Sequence, residues 1–202
     1  MNKSVILLTG ASAGIGRECA NHLSTSGWNV LGASRRGTSD GPWQGLQMDV
    51  DDDSSVESAF ERVDSEHGEL NAVLACAGWG LAGAAELTSI EDAMAQFNTN
   101  FWGAVRVVNA ALPRLRERRG GHVVLMSSIG GILGIPYQAF YSASKFALEG
   151  YAESLAYEVA PFNIHVTLVE PGNFKTGFTA ARKKVTSPAM TRIDRRARKR
   201  SP

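Results

Sequence analysis

The sequence has few of the features that mark secreted, membrane-spanning or metal-binding proteins. Only two cysteines occur among its 202 residues, Cys19 and Cys76, which are too few for a disulfide framework. The four histidines are scattered singly, without the spacing of a metal site. The apolar run at 5–8 is too short for a signal peptide or a membrane span. We therefore predict a cytoplasmic protein with no membrane span and no bound metal.

The small net charge of +1 conceals an uneven distribution. Residues 182–200 contain nine lysines and arginines and one aspartate, so this segment carries +8 and the rest of the chain −7. Because the segment has almost no apolar periodicity, we predict a folded domain at 1–181 and a basic, flexible tail at 182–202. The tail lacks interleaved aromatic residues, so we expect no nucleic-acid partner. Binding of nucleic acid or an acidic membrane through the tail is kept as an alternative.

Short apolar runs alternate along the chain with longer amphipathic stretches. This alternation predicts repeated βαβ units, and hence an α/β fold with a doubly wound parallel sheet of Rossmann type and helices on both faces. Ligands in such folds bind beyond the carboxyl ends of the strands. The predicted strands are 5–9, 29–33, 46–48, 71–75, 122–126 and 165–169, and the predicted helices are 15–26, 54–67, 90–118 and 142–160.

A glycine-rich turn with Gly10, Gly14 and Gly16 follows the first predicted strand and runs directly into the first helix. Glycines let the backbone turn tightly and approach a pyrophosphate, whose charge is received by free N–H groups at the start of a helix. The turn therefore predicts dinucleotide binding, and a tight turn without a ligand is the alternative. Its spacing, G-x-x-x-G-x-G, differs from the common G-x-G-x-x-G form.

The end of the second predicted strand indicates which dinucleotide is bound. A cofactor without a 2′-phosphate usually meets a carboxylate there, but this sequence has Arg35 and Arg36. Two guanidinium groups attract a 2′-phosphate, which favours NADP over NAD. The alternative is a solvated loop with two surface arginines. After the third strand, Asp49 and Val50 stand where an adenine ring would lie, and the acids at 51–53 are predicted to cap the next helix.

Tyr141 and Lys145 stand four residues apart in a predicted helix, so both side chains point to one face. A tyrosine ordinarily ionises near pH ~10, and a cation within about 4–6 Å lowers its pKa by roughly one to three units. The pair is therefore a candidate acid–base group, although such a pair alone is usually an accident of composition.

Other polar residues follow the remaining strands. Ser128 stands at the end of the fifth predicted strand, as a turn former or a donor to a substrate. No G-x-S-x-G elbow surrounds it, so it is not expected to be a hydrolase nucleophile. Asn100 lies inside a helix and, from the residues alone, is interpreted as structural. Ala77 and Gly78 allow close backbone approach after the fourth strand.

Five motifs together resemble the short-chain dehydrogenase/reductase family, over roughly residues 4–180. The motifs occur in the order and with the spacing of that family. Within it, the sequence most resembles the branch of 17β-hydroxysteroid and retinol dehydrogenases. The motifs are TGASAGIG at 9–16, NFWG at 100–103, SSIGG at 127–131, YSASK at 141–145 and EPGNFKT at 170–176.

The resemblance implies hydride transfer between NADP(H) and a carbonyl or secondary alcohol, with an apolar substrate expected. Tyr141 would exchange a proton with the substrate oxygen, and Lys145 would lower the pKa of Tyr141 and hold the nicotinamide ribose. Ser128 would position the substrate oxygen. Asn100 would hold a water that links Lys145 to solvent, which replaces the structural interpretation given above.

The resemblance also assigns cofactor contacts. The expected contacts are Gly10, Ser12, Ala13, Gly14, Ile15 and Gly16 for the pyrophosphate, Arg35 and Arg36 for the 2′-phosphate, Asp49 and Val50 for the adenine, Ala77 and Gly78 beside it, and Tyr141, Lys145, Pro171, Gly172 and Thr176 for the nicotinamide half.

Members of the family usually continue beyond the turn at 170–176 through a substrate lid to a seventh strand. Here the sequence changes into the basic segment, so we expect the C-terminal lid and seventh strand to be shortened or missing. An inactive or regulatory NADP-binding relative is therefore the alternative to an active oxidoreductase. The family also implies a homodimer or homotetramer.

Overall fold

A computed structural model describes residues 3–185 of the chain. Within them, six parallel strands form one sheet in the order β3-β2-β1-β4-β6-β7. The strands are β1 (Val5–Thr9), β2 (Asn29–Ser34), β3 (Gln44–Gln47), β4 (Leu70–Ala75), β6 (Gly121–Met126) and β7 (Ile164–Val169), and a separate pair consists of β5 (Leu81–Ala82) and β8 (Lys183–Lys184). The helices are α1 (Gly14–Thr25), α2 (Asp53–His67), α3 (Ile90–Phe97), α4 (Gly103–Glu117) and α5 (Ala139–Val159).

The strand order confirms the predicted Rossmann-type fold. The chain moves outward from β1 through β2 to β3 and then returns to place β4 on the other side of β1. The carboxyl ends of β1 and β4 are therefore neighbours at the point where the order reverses, which is where ligands bind in open parallel sheets. Each predicted strand coincides with an observed one to within two residues at either end.

Alternate residues of the strands pack into two cores, one on each face of the sheet. Leu7 and Val73 face α2, α4 and α5, while Leu8 and Leu74 face α1. Because both faces of β1 are covered, its residues are apolar at every position except Thr9. The sheet therefore places each strand end at a fixed position in the molecule.

A cavity of about 1470 Å³ lies over the α1 face of the sheet. Alternate residues of β4 and β6, including Leu74 and Val124, form its floor, and α1 with the segment 169–177 forms its sides. Gly14 and Thr176 belong to its lining, and Tyr141 does not.

The helix predicted at 90–118 is interrupted. A π-helical turn, Asn98–Trp102, separates α3 from α4. At its end Gly103 packs against Val50, where an added Cβ would lie 2.8 Å from a methyl carbon of the valine. π-helical turns of this kind are frequent at functional sites.

The pairing of β5 with β8 joins the segment around 182–185 to the domain. The N–H of Lys183 donates to the Gly80 carbonyl, and the N–H of Val185 donates to the Ala82 carbonyl, each at 2.9 Å. The Lys183 ammonium also pairs with Asp92 at 2.6 Å. The boundary predicted at residue 181 stays a prediction, and the rest of the predicted tail, 186–202, lies outside the described residues.

No helix within residues 3–185 is long and apolar enough to cross a bilayer.

Thr9 ties the carboxyl ends of β1 and β4 together. Its side chain is buried, and its hydroxyl oxygen accepts hydrogen bonds from the N–H groups of Cys76 and Ala77, each at 3.1 Å. The hydroxyl therefore accepts hydrogen bonds from the two backbone N–H groups that directly follow β4.

We expect Thr9→Val to lower the free energy of unfolding by about 2–3 kcal/mol, because it leaves two N–H groups without their acceptor while keeping the side-chain shape. Urea denaturation monitored by circular dichroism measures the change. Thr167→Val, on an exposed position of β7, is the matched control and should change stability by less than about 0.5 kcal/mol. Equal small effects of the two substitutions would contradict this role for Thr9.

Candidate active site

The glycine-rich turn folds against the end of β4. Gly10 has φ of +74°, and an added Cβ would lie 3.0 Å from the Cα of Ala77. A Cβ on Gly16 would collide with the Gly10 carbonyl oxygen. Both positions therefore need glycine, because the backbone segments approach each other too closely for a side chain.

The N-terminus of α1 is open to a ligand. Ala13 is the N-cap residue, in extended conformation, and no side chain caps this helix within the described residues. By contrast, Asp52 caps α2 and Ser89 caps α3, as predicted for the acidic loop before α2. Free N–H groups and the helix dipole at α1 suit a pyrophosphate. Ser12 and Ala13 lie in the turn itself, and half-buried Ile15 packs against the core behind it.

The segment after β7 faces this turn. Gly14, with φ of +56°, stands opposite Thr176, whose Cβ would lie 3.7 Å from a Cβ added to the glycine. The Pro171 carbonyl accepts a hydrogen bond from Ile129 at 3.1 Å, and Gly172 follows it on the exposed surface. Residues predicted to bind the pyrophosphate and residues predicted to bind the nicotinamide half therefore lie on opposite sides of one crevice.

The two arginines after β2 are exposed at the same edge of the sheet. Gly37, with φ of +66°, donates to the Ser34 carbonyl, so that Arg35 and Arg36 form the centre of a tight turn. Within residues 3–185 no carboxylate lies within 4 Å of either guanidinium. Their charge is therefore available to an anionic ligand.

The predicted adenine residues follow β3. Asp49 accepts a hydrogen bond from the N–H of Asp51 and donates its own N–H to Ser55 at 2.9 Å. Val50 is buried against α4, and its carbonyl accepts from Arg106. This loop is held rigidly beside the crevice. The glycine-rich turn, the open helix and the two arginines together fit a dinucleotide.

Tyr141 lies at the start of α5 and is only 7% exposed. The Ser128 side chain lies near the phenol, which brings together the two residues predicted to contact the substrate oxygen. Burial raises the pKa of Tyr141 above its ordinary value, and the Ser128 hydroxyl and the Arg182 charge oppose this rise. The expected lowering of the Tyr141 pKa is therefore not found in this structure, where burial dominates and Lys145 is not among the groups that shift this pKa.

Lys145 is buried beside the end of β6. Its ammonium donates to the Met126 carbonyl at 2.7 Å, and the side chain is 5% exposed. Burial lowers the pKa of Lys145 to about 8, and the charges of Cys76 and Glu149 oppose the shift. Glu149 also accepts a hydrogen bond from Ser127. The lysine therefore titrates much closer to neutrality than an exposed lysine does.

Asn100 is held in the π-helical turn and is 1% exposed. Its Oδ1 accepts from the N–H of Trp79, and its Nδ2 donates to the Trp79 carbonyl, each at 3.0 Å. Nδ2 also lies 3.4 Å from the Ser144 hydroxyl. These contacts fix the loop after β4. In this loop Gly78 is exposed, and a Cβ added to it would lie 3.1 Å from Oδ1 of Asn100. These contacts are those of a structural residue, which is how Asn100 was first interpreted before the family resemblance was considered.

Two residues near Tyr141 were not predicted as site residues. Gln138 and Arg182 line a cavity of about 770 Å³ together with Ile129, Ile135, Asn173, Phe174, Lys175 and Thr179. Gln138 stands one helical turn before Tyr141, a spacing that could have identified it. Arg182 had no such signal, because its position depends on the pairing of β5 with β8.

Comparison with known proteins gives one consistent result. The sequence profile described as short chain dehydrogenase matches residues 4–186. A 3-ketodihydrosphingosine reductase of Bacteroides thetaiotaomicron is 49% identical over 180 residues, covering 89% of this chain and 67% of the relative. Human 17-beta-hydroxysteroid dehydrogenase type 1 is 37% identical, with 88% and 59% covered. Bovine retinol dehydrogenase 8 is 39% identical, with 86% and 60% covered.

Solved structures agree. A short-chain dehydrogenase from Streptomyces avermitilis superposes with a TM-score of 0.87 at 34% identity, covering 95% of this chain and 75% of that one. A short chain dehydrogenase/reductase from Burkholderia phymatum, in complex with NAD, gives a TM-score of 0.84 at 22% identity, covering 98% and 79%, and is similar in fold. The chain spans about 59–67% of the length of the three relatives named above.

The lowered pKa of Lys145 predicts its titration directly. In the cofactor-free protein, we expect one ε-methylene resonance in ¹³C NMR to titrate near pH 8 and to be absent from Lys145→Met. Because the folded pKa lies below the ordinary value of 10.5, wild type should also gain stability relative to Lys145→Met as the pH rises from about 8 to about 10.5. A midpoint near 10.4, typical of exposed lysines, would contradict the burial argument.

Proposed function

The chain belongs to the short-chain dehydrogenase family, and from this we propose that it is an NADP(H)-dependent oxidoreductase that interconverts a ketone and a secondary alcohol. The observation that carries the proposal is the placement of Ser128 beside the Tyr141 phenol, with Gly130 packed against the Tyr141 ring. The pair lies at the edge of the sheet that also holds the glycine-rich turn.

We assign the cofactor to the crevice between this turn and the segment after β7. The open N-terminus of α1 would receive the pyrophosphate, Asp49 and Val50 the adenine, and Thr176 with Lys145 the nicotinamide half. When bound, the nicotinamide supplies or accepts the hydride at the substrate carbon. Arg35 and Arg36 support NADP rather than NAD, because their charges are unpaired within residues 3–185 and suit a 2′-phosphate.

Tyr141 would act as the general acid in reduction. Its raised pKa keeps the phenol protonated near neutral pH, so it can donate a proton to the carbonyl oxygen as the carbon is reduced. Ser128, whose hydroxyl also accepts from the Gly130 N–H at 3.1 Å, would donate to the same oxygen and orient it. In the oxidation direction Tyr141 would accept the proton of the alcohol.

Lys145 would return a proton to the phenol. With a pKa of about 8, its ammonium can release and regain a proton near neutrality, which suits a relay to solvent. For this role the side chain must turn from the Met126 carbonyl towards Tyr141, one helical turn away. A relay water held by Asn100 stays a prediction, because both amide atoms of Asn100 bind Trp79.

The substrate is proposed to be largely apolar. Ile129, Ile135 and Phe174 line the cavity beside Tyr141, and the Phe178 ring lies 5.9 Å from the Tyr141 ring. The relatives are named for 3-ketodihydrosphingosine, retinol and 17-beta-hydroxysteroids, so ketones and alcohols of these classes are the first substrates to test.

We also propose a homo-oligomer that pairs α3, α4 and α5 of two copies. Large apolar side chains are exposed along α3, α5 and the π-helical turn before α4, which is unusual for a free surface. They are Ile90, Met94, Trp102, Phe146 and Tyr157.

NADPH preference is tested by fluorescence titration of the wild type and of Arg35→Ala/Arg36→Ala. We expect the double variant to bind NADPH roughly ten- to a hundredfold more weakly, because charge-assisted hydrogen bonds to the 2′-phosphate are lost, and to bind NADH as the wild type does. Arg116→Ala/Arg119→Ala, which removes two charges at another edge, is the control. Equal NADPH and NADH affinities in wild type would contradict the preference.

Tyr141→Phe should reduce kcat for ketone reduction by at least a hundredfold, because the general acid is removed while the ring is kept. NADPH binding should change less than about threefold. Steady-state absorbance at 340 nm over a ketone panel measures turnover. NADPH binding without turnover of any ketone by the wild type would instead favour the regulatory alternative.

A further inference from the structure

Two of the buried polar atoms that have no hydrogen-bond partner among residues 3–185 belong to residues that line the cavity of about 770 Å³. They are Oε1 of Gln138 and Nε of Arg182. Gln138 is 9% exposed, so water contacts little of its side chain. Buried polar groups in folded proteins are nearly always paired, and each exception needs an explanation.

The backbone of Gln138 is already satisfied. Its N–H donates to the Ile135 carbonyl at 3.0 Å, and its carbonyl accepts from the N–H of Ser142 at 2.8 Å. These bonds hold the residue in place, and its side-chain amide oxygen has no partner among residues 3–185. A polar side chain fixed in this way is suited to recognition rather than to packing.

Arg182 is held from the opposite side of the cavity. Its aliphatic part packs against Gly80, and its Cζ lies 5.8 Å from the centre of the Phe178 ring. Phe178 in turn lies against Tyr141. Within residues 3–185 no carboxylate pairs with this guanidinium, whereas the neighbouring Lys183 is paired with Asp92. The Arg182 charge lies close enough to Tyr141 to affect its pKa.

The two open atoms differ in chemistry, and this difference selects the ligand. Oε1 of Gln138 accepts a hydrogen bond, and Nε of Arg182 donates one. A hydroxyl group both donates and accepts. A carboxylate would satisfy only Arg182, and an ammonium would satisfy only Gln138 and be repelled by Arg182. The other lining residues are both apolar and polar, namely Ile129, Ile135 and Phe174 with Asn173, Lys175 and Thr179.

We propose that Gln138 and Arg182 form a subsite for a hydroxyl group of the substrate, close to the reacting carbonyl. The inference rests on the proposed function, and it narrows the substrate to hydroxylated ketones with an otherwise apolar body. The amide oxygen of Gln138 accepts a hydrogen bond from this hydroxyl. Arg182 donates to the hydroxyl oxygen through a charge-assisted hydrogen bond.

The test compares four ligands that share one alkyl chain. They are 1-hydroxy-2-decanone, 2-decanone, the anion 2-oxodecanoate and the cation 1-amino-2-decanone. Their binding to the protein in complex with NADP⁺ is measured by isothermal titration calorimetry, so that no turnover occurs. We expect the hydroxyketone to bind roughly tenfold or more tighter than 2-decanone, because two buried hydrogen bonds are gained.

Two variants assign the preference to the two residues. Gln138→Leu and Arg182→Met should each reduce the ratio of hydroxyketone to 2-decanone affinity by at least about fivefold. Gln44→Leu and Lys184→Met, at exposed positions of β3 and β8, are the matched controls and should keep the wild-type ratio. Thermal unfolding checks that each variant is folded, and either variant alone is decisive.

Equal affinities of the wild type for 1-hydroxy-2-decanone and 2-decanone would overturn the subsite. Tightest binding of 2-oxodecanoate or of 1-amino-2-decanone would also overturn it, in favour of an ionic site. Reduction of the same ketones by NADPH is measured in parallel. A hydroxyl preference in binding without any turnover would overturn the proposed function alone, and turnover without the preference would overturn this inference alone.

Discussion

The close approach of the ends of β1 and β4 is the constraint on which the site depends. The order of the strands in the sheet reverses between β1 and β4, so a crevice opens beyond their carboxyl ends. The Thr9 hydroxyl bridges them by accepting from two N–H groups after β4. Gly10 and Gly16 are glycines because the backbone passes too near for a side chain. The open start of α1, which suits a pyrophosphate, follows from the same turn.

Burial, rather than the charge of a neighbour, sets the proton chemistry of the pair on α5. It raises the pKa of Tyr141 and lowers the pKa of Lys145 to about 8, so both groups favour their neutral forms. A neutral phenol is the form that can donate a proton to a carbonyl oxygen. A lysine that titrates near neutrality can replenish that proton. The two shifts therefore support reduction as the direction for which the site is prepared.

Much of the fold could be predicted from the sequence, because apolar runs of strand length and glycines after β1 are local signals. The prediction was weaker where distant segments decide the structure. A continuous helical periodicity at 90–118 gave no sign of the π-helical turn, which depends on Asn100 binding the backbone of Trp79. Two-residue strands such as Leu81–Ala82 have no pattern of their own. The pKa of Tyr141 was predicted in the wrong direction, because the spacing to Lys145 reveals proximity along a helix but not burial.

The central claim is that this chain transfers hydride between NADPH and a ketone at Tyr141. The most direct measurement uses NADPH carrying deuterium at both C4 positions of the nicotinamide, with a hydroxylated ketone as substrate and mass spectrometry of the alcohol. The account predicts one deuterium on the carbon that bears the new hydroxyl and none exchanged with solvent. An alcohol without the label, or bound coenzyme that keeps its label indefinitely, would contradict it.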